Sequence, residues 1–353
     1  MLTEKVVVIM PLNKRKRQIL RAITHDYIST AEPVGSRTIA RRYSLGVSPA
    51  TIRNEMADLE EDGYLEQPHT SAGRIPSDKG YRFYVDALMD PQELSEAEIR
   101  QVHSTLRSEH SQMEELVHES ARLLALLSQY TSVVVAPNLS RGAIRRLQLI
   151  PLDEWNVLLV LVVDPGFVQS RIVETSRPLQ LQEIARINYF FSRRLSGMMV
   201  ADIGGSLLGE MREEVTDETL MTEALTLLDR GFRSLKKEQV FLDGTVHLFN
   251  QPEFRDVDKV KVLLNILDDE KVLWDLLNDT LGRSGIRVTI GRENQHEGFQ
   301  DCSLVTASYE LDGHVIGKVG VLGPTRMDYE RVVTIVEYIA INLSELLTDA
   351  RRH

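Results

Sequence analysis

The feature of the sequence that most constrains the fold is a helix start at Ser48-Pro49. Ser is favoured at a helix N-cap and Pro at the first helical position, so a helix should begin here and end at Gly63. Ile52, Met56 and Leu59 recur at helical spacing and predict its buried side. The opposite side of the first turns carries Ala50, Thr51, Arg53 and Asn54. Arg and Asn make bidentate hydrogen bonds to base edges, so this helix start suits contact with the major groove.

Two helices precede this one and a hairpin follows it. Asn13 should cap the first helix, and Ser36 the second, at residues 37–43. Residues 64–67 and 74–77 read as short strands around a polar tip, and Ser77 should cap a fourth helix over residues 78–88. This order predicts a winged helix-turn-helix, in which the tip reaches phosphates or the minor groove. The candidate DNA-binding residues are Ser36, Arg37, Thr38, Ser48, Ala50, Thr51, Arg53, Asn54, His69, Ser71, Arg74 and Lys79.

The distribution of charge separates this segment from the rest of the chain. The net charge is −11, yet residues 11–85 hold 12 Lys and Arg against 9 Asp and Glu, which leaves 29 basic and 43 acidic residues elsewhere. A locally basic module on an acidic body suits a polyanionic partner. Lys14 to Arg17 load the start of the first helix with positive charge, which its dipole disfavours. A nearby phosphate backbone would relieve this cost; a solvated basic end is the alternative.

The remaining residues predict an α+β multidomain chain. A polar break at residues 90–95 precedes a long helix over residues 95–129, interrupted near residues 108–111. The later elements are typical of an α+β domain of the GAF kind. They are a strand at 131–136, helices at 257–268 and 270–281, three strands (286–290, 303–310 and 315–322) and a closing helix at 328–348. A strand at 239–242 belongs to the same pattern. Residues 143–236 carry their own strands (146–150, 157–163 and 168–174) and then helices from 181 to 236, so they read as an insertion. The predicted domains are 1–90, a GAF-like domain of 91–142 with 237–353, and an inserted domain of 143–236.

One stretch gives a specific resemblance. Residues 63–86, Gly-Tyr-Leu-Glu-Gln-Pro-His-Thr-Ser-Ala-Gly-Arg-Ile-Pro-Ser-Asp-Lys-Gly-Tyr-Arg-Phe-Tyr-Val-Asp, resemble the wing of HrcA, the bacterial heat-inducible transcription repressor family. Residues 47–60 are similar to its recognition helix. The resemblance implies a winged helix, a GAF-like domain and an inserted dimerising domain. It also implies repression of heat-shock (chaperone) operons by a homodimer on the CIRCE inverted repeat, with activity modulated by a GroEL-type chaperonin.

Other function classes receive less support from the residues. No Gly-x-Gly-x-x-Gly, Walker loop or Gly-x-Ser-x-Gly motif points to an enzyme, and Cys302 has no activating base in a local motif. A metal-sensing repressor would have to use His103, His110 and His118, which lie seven and eight residues apart. A ligand- or metal-sensing repressor of another regulon is therefore the alternative. We expect no cofactor, no membrane partner and a cytoplasmic protein, and we interpret residues 1–10 as a dispensable extension.

Overall fold

The structure, a computed structural model, describes residues 12–107, 113–137, 142–164, 167–203, 218–233, 239–278, 285–311 and 313–352. The predicted extension at residues 1–10 and the break near residues 108–111 lie outside this range. The same holds for the parts of the predicted helices at residues 204–217, 234–236 and 279–281. None of the helices in the described part of the chain is both long and apolar enough to span a bilayer.

The first unit follows the predicted order of elements. In chain order it contains α1 (Lys14–Thr30), α2 (Ser36–Arg42), α3 (Pro49–Glu61), β1 (Leu65–Glu66), β2 (Ile75–Pro76) and α4 (Asp78–Ala87). Asn13, Ser48 and Ser77 cap α1, α3 and α4 as predicted, because each side-chain oxygen accepts a backbone N–H of the first turn. Gly63 takes a φ of 78° just after α3. The two strands pair antiparallel over only two residues each.

The predicted cap of α2 is wrong. Gly35 is the N-cap residue, and its carbonyl accepts the backbone N–H groups of Thr38 and Ile39. The helix therefore begins one residue earlier than predicted, and Ser36 becomes its first helical residue, with 8% of its surface exposed.

The remaining elements, in chain order, are α5 (Glu96–Leu106), α6 (Met113–Ser128), β3 (Thr131–Val135), β4 (Ile144–Pro151), β5 (Asn156–Val163), β6 (Phe167–Glu174), α7 (Leu181–Leu195), α8 (Glu218–Arg233), β7 (Val240–Asp243), α9 (Val257–Leu267), α10 (Glu270–Asn278), β8 (Ile286–Ile290), β9 (Cys302–Leu311), β10 (His314–Pro324) and α11 (Tyr329–Arg352). Short 3-10 turns occur between them, at Val200–Asp202, Thr245–Asn250, Pro252–Phe254, Gly291–Glu293 and Glu297–Phe299.

A five-stranded antiparallel sheet of order β7-β3-β10-β9-β8 forms the body. Helices α5, α6 and α11 pack on one of its faces, around Val134, Val305 and Val319. Helices α9 and α10 pack on the other, around Leu304 and Leu322. Along β3, β9 and β10, buried apolar side chains occur on both faces of the sheet, whereas the edge strands β7 and β8 are partly exposed.

A separate three-stranded antiparallel sheet of order β4-β5-β6 lies within the predicted insertion. Its core face holds Val157, Leu159 and Leu161, which pack against α7 and α8. Burial alternates along β5, so every second residue of β5, together with its paired residue on β6, is directed to the opposite face, away from these helices.

Helix α4 belongs to two cores. Phe83 packs with the side chains of α1 and α3, whereas Tyr81 and Tyr84 pack in the core of the five-stranded sheet. The Tyr84 hydroxyl donates a hydrogen bond to Glu330 Oε1 at 2.7 Å. The first unit therefore packs directly against the five-stranded sheet and its helices.

Candidate nucleic-acid interface

The beginning of α3 forms an exposed, electropositive helix end. Ser48 Oγ accepts the Thr51 N–H at 3.1 Å, and no acidic residue lies in the first turn. The helix dipole and the remaining free N–H groups therefore favour an anion here. Ala50, Arg53 and Asn54 are exposed and Thr51 is half-buried, whereas Ile52, Met56 and Leu59 are buried, as predicted. This end presents the side chains that the sequence assigned to base contact.

Helix α2 packs against α3 and adds a second exposed basic face. Arg37 and Arg41 are exposed and lie one helical turn apart, so they share this face. Thr38 is half-buried beside them, while Ser36 faces the interior. Arg41 was not among the predicted site residues. The Arg41-Arg42 pair is visible in the sequence, but only the structure shows that Arg42 pairs with Asp26 while Arg41 has no ion pair among the described residues.

The cations of the first unit divide into paired and unpaired groups. Arg15 pairs with Glu55 at 3.3 Å, and Arg42 pairs with the buried Asp26. Within the part of the chain that the structure describes, Arg37, Arg41 and Arg53 form no ion pair or hydrogen bond through their side chains. Unneutralised guanidinium groups are therefore concentrated on α2 and on the start of α3.

The sequence left two interpretations of the basic start of α1, a DNA phosphate partner or solvation. The structure shows a third, an intramolecular acidic partner. Lys16 Nζ lies 3.4 Å from Asp58 and 3.1 Å from Asp62 on α3. Although desolvation lowers it, the hydrogen bonds to Asp62 and Asp58 raise the pKa of Lys16 overall. Acidic residues of α3 thus offset the unfavourable charge at the start of α1.

The tip of the hairpin is held by a residue that the sequence did not single out. His69 and Ser71 are exposed at this tip. Gln67 Nε2 donates to the carbonyls of Thr70 and Ala72 at 3.0 and 3.1 Å, which bridges the two sides of the turn. The amide of Gln67 positions the tip, and only the closed turn shows this.

The base of the hairpin lies at the opposite end of α3 from Ser48. Arg74 pairs with Glu60 at 2.7 Å. Lys79 donates to the Asp62 carbonyl at 2.7 Å and lies 4.3 Å from the ring centre of Tyr64. Contact of Arg74 and Lys79 with phosphates stays a prediction. Their intramolecular partners favour a role in fastening the hairpin to α3.

Replacing Gly73 with alanine is expected to unfold the hairpin. A Cβ at this position would lie 2.4 Å from the Val34 carbonyl oxygen, in a backbone pair where Val34 and Arg74 exchange two hydrogen bonds of 2.9 Å. Because the backbone atoms of Val34 cannot shift without breaking these hydrogen bonds, the clash should lower the free energy of unfolding by on the order of 1–3 kcal/mol. Thermal unfolding followed by circular dichroism measures it, with Ser71→Ala at the exposed tip as the control. An unchanged midpoint for Gly73→Ala would show that the hairpin does not pack on Val34.

The other candidate chemical groups are engaged in packing. Cys302 is 1% exposed, and burial raises the pKa of its thiol to about 12. His103 Nε2 lies 2.9 Å from the Tyr338 hydroxyl, and His118 meets Phe241 edge-on. His110 lies outside the described residues. Among those that are described, no cluster of three or more His, Cys, Asp or Glu side chains has the arrangement of a metal site.

Comparison with known proteins gives one consistent result. Residues 114–333 match the family described as HrcA protein C terminal domain. The heat-inducible transcription repressor HrcA of Desulforamulus reducens is 43% identical over 96% of this chain and 98% of its own length. That of Natranaerobius thermophilus is 46% identical over 96% and 98%. A crystal structure described as a hypothetical protein at 2.2 Å resolution is 26% identical, with a TM-score of 0.66 over 96% of this chain and 99% of the other.

Proposed function

Because the chain belongs to the HrcA family of heat-inducible transcription repressors, we propose that it represses chaperone operons by binding the CIRCE inverted repeat as a dimer. Membership of the HrcA family makes the protein a negative regulator of heat-shock transcription. The members of this family are repressors, not enzymes. The operator, the dimer and the residues that contact DNA are the finer parts of the proposal. A repressor works where the chromosome lies, so we place it in the cytoplasm.

The observation that carries the proposal is the unpaired basic surface on α2 and α3. Arg37, Arg41 and Arg53 form no ion pair with any residue that the structure describes, while most other cations of this unit are paired. Asn54 lies beside Arg53 at the positive end of α3. In a winged helix, α3 would enter the major groove by this end, with α2 above the phosphate backbone and the hairpin tip at the adjacent minor groove.

The domain division stays a proposal that the cores support. One apolar cluster joins α1, α2 and α3 with the hairpin, and a second lies entirely within residues 144–232. Two further clusters cover the two faces of the five-stranded sheet. This arrangement favours a winged helix at residues 1–90, a GAF-like domain of residues 91–142 with 237–353, and an inserted domain of residues 143–236.

We assign the dimer contact to the open face of the three-stranded sheet. Val168 and Ile172 of β6 are each 62% exposed, and Ile150 of β4 is 40% exposed. Ile172 pairs across the strands with Leu158, which in turn pairs with Ile150, so the three side chains form one apolar row. A continuous exposed apolar patch is typical of an interaction surface. A second copy supplies an equally apolar patch under twofold symmetry, and its twofold axis matches the symmetry of an inverted repeat.

Footprinting on a chaperone promoter tests the proposal. The full chain should protect both arms of the CIRCE inverted repeat equally, since each protomer presents one α3. The same reaction should be run with a DNA in which one arm is scrambled, where protection should weaken on both arms. Protection of an unrelated sequence without twofold symmetry would overturn the assignment. Adding a GroEL-type chaperonin should increase the fraction of protein that binds, if the chaperonin modulates activity as the family resemblance implies.

Arg37→Ala and Arg41→Ala should each change the salt dependence of DNA binding. A side chain that meets a phosphate releases one condensed counterion, so its loss should flatten the slope of log K against log salt by about one unit. The decrease should be similar on operator and random DNA, because phosphates carry no sequence. Arg100→Ala, an exposed change on α5 of the body, is the control. An unchanged slope for both variants would place α2 away from the DNA.

A further inference from the structure

A cavity of about 270 Å³ opens beside the edge strand of the five-stranded sheet. Apolar side chains of α10 and β9 form part of its lining: Val272, Leu276 and Leu304. The polar part of the lining comes from α10, β8 and the loop that follows β8: Asp275, Arg287, Thr289, Glu293, Asn294, Gln295 and His296. Concave, partly apolar sites with a few convergent polar groups bind small molecules, and this volume lies just below the usual range for drug-sized ligands.

Asn294 lines the cavity and fixes the loop that follows β8. Its side chain is 3% exposed, and Nδ2 donates to the carbonyls of Gly291, Phe299 and Cys302 at 2.9, 3.1 and 2.9 Å. These carbonyls fix the orientation of the amide, because an inverted amide would place its oxygen against three acceptors. Oδ1 is buried and accepts no hydrogen bond from any residue that the structure describes. The three hydrogen bonds of Nδ2 thus hold the loop from Gly291 to Cys302 in place beside the cavity.

The cavity also faces two opposite charges that do not neutralise each other. Asp275 and Arg287 both line it and both are exposed. Among the described residues neither side chain forms an ion pair. An ammonium group would be attracted to Asp275, and a carboxylate to Arg287, in a charge-assisted hydrogen bond.

We propose that this cavity binds a small zwitterion of the α-amino-acid class with an apolar side chain. Arg287 receives the carboxylate and Asp275 receives the ammonium group. The apolar side chain packs against Leu276 and Leu304. The volume of about 270 Å³ admits one such molecule.

The same cavity is joined to the first unit through Glu293. This carboxylate accepts hydrogen bonds from Arg82 Nε of α4 at 2.8 Å and from the Ile290 N–H at 2.9 Å. Arg82 also donates to the Val288 carbonyl at 2.6 Å, and Asp78 of α4 accepts the Arg292 N–H at 3.0 Å. A ligand that displaces Glu293 therefore changes how α4 is held on the body. This coupling to DNA binding rests on the proposed function, whereas the binding site itself does not.

Calorimetry and thermal unfolding of the full chain test the site, with each of the twenty proteinogenic α-amino acids as a probe. At least one with an apolar side chain should bind at one per chain and raise the unfolding midpoint by about 2–4 °C at roughly 100 times its Kd. Asp275→Asn and Arg287→Gln should each weaken binding about tenfold or more, because each removes a charge-assisted contact. Asp268→Asn and Arg292→Gln, neighbouring exposed positions outside the cavity, are the matched controls. Binding by none of the twenty, or unchanged binding in both cavity variants, overturns the proposal.

Operator titration tests the coupling separately. The amino acid that binds should shift the operator Kd of the wild-type chain about fivefold or more. Glu293→Gln keeps the shape of the side chain but weakens its ion pair with Arg82, so this shift should decrease while calorimetry still detects the ligand. An operator Kd that does not respond to the bound ligand overturns the coupling. If the chain binds no operator at all, the proposed function fails, and the calorimetric result still decides the site.

Discussion

Replacing Val168 and Ile172 together with glutamate is expected to separate the proposed dimer into monomers and to lower operator affinity by about 10²–10⁴. Both side chains are 62% exposed, so the substitution should not disturb the fold of one protomer. Two buried carboxylates on each side of a twofold contact would repel each other and lose their hydration. A monomer binds each arm of the operator independently and loses the effective concentration that the linked second arm provides. Sedimentation velocity and operator titration on the same preparation measure both effects.

Arg171→Glu is the matched control for this substitution. Arg171 lies on the same strand between the two altered residues but points to the opposite face, where it pairs with Leu159. An acid at this position should leave the dimer intact. If the double variant stays dimeric and binds the operator normally, the protomers associate through another surface, for example through the exposed Leu181 and Tyr189 of α7.

Arg53→Ala and Asn54→Ala are each expected to weaken binding to the operator by about 1–3 kcal/mol, which is roughly 5- to 150-fold. Both side chains are exposed at the start of α3 and have no role in the apolar cluster of the first unit, so stability should not change. On random DNA the loss should be small, because bidentate hydrogen bonds to a base depend on the sequence. Fluorescence anisotropy with both DNAs measures the difference.

Glu61→Ala, an exposed substitution at the last residue of the same helix, is the control and should leave both affinities unchanged. Equal losses on operator and random DNA for Arg53→Ala and Asn54→Ala would mean that these residues anchor phosphates and that other side chains contact the bases. In that case Ala50 and Thr51, which lie closer to the start of α3, are the next residues to test.

Most of the local structure could be predicted from the sequence. The caps of α1, α3 and α4 were predicted from single polar residues, since a cap is a hydrogen bond across three positions of the chain. The strand at Ile286–Ile290 was predicted with its exact bounds, and the other strands of the body to within two residues. Alternation and helical spacing are short-range patterns, so the sequence displays them directly. The resemblance of residues 47–86 to HrcA likewise needed no coordinates.

The state of each charged residue could not be predicted in this way. The sequence shows twelve cations in residues 11–85 but not which of them are neutralised. Lys16 and Asp62 are 46 positions apart, and Arg82 and Glu293 are 211 positions apart, so only the tertiary structure brings them together. For this reason nothing in the sequence separated Arg74 and Lys79, which have intramolecular partners, from Arg53, and the exposed Arg41 was missed.

The sequence alone thus determined the helices, the strands, the exposed start of α3 and the family resemblance, because these depend on neighbours within about one or two turns of the chain. Only the tertiary structure decided that Tyr81 and Tyr84 leave the first unit and pack in the core of the body. It also decided that Arg37, Arg41 and Arg53 form no ion pair with any of the described residues. Burial and ion pairing depend on which distant segments meet, and that is set by the packing of the whole chain.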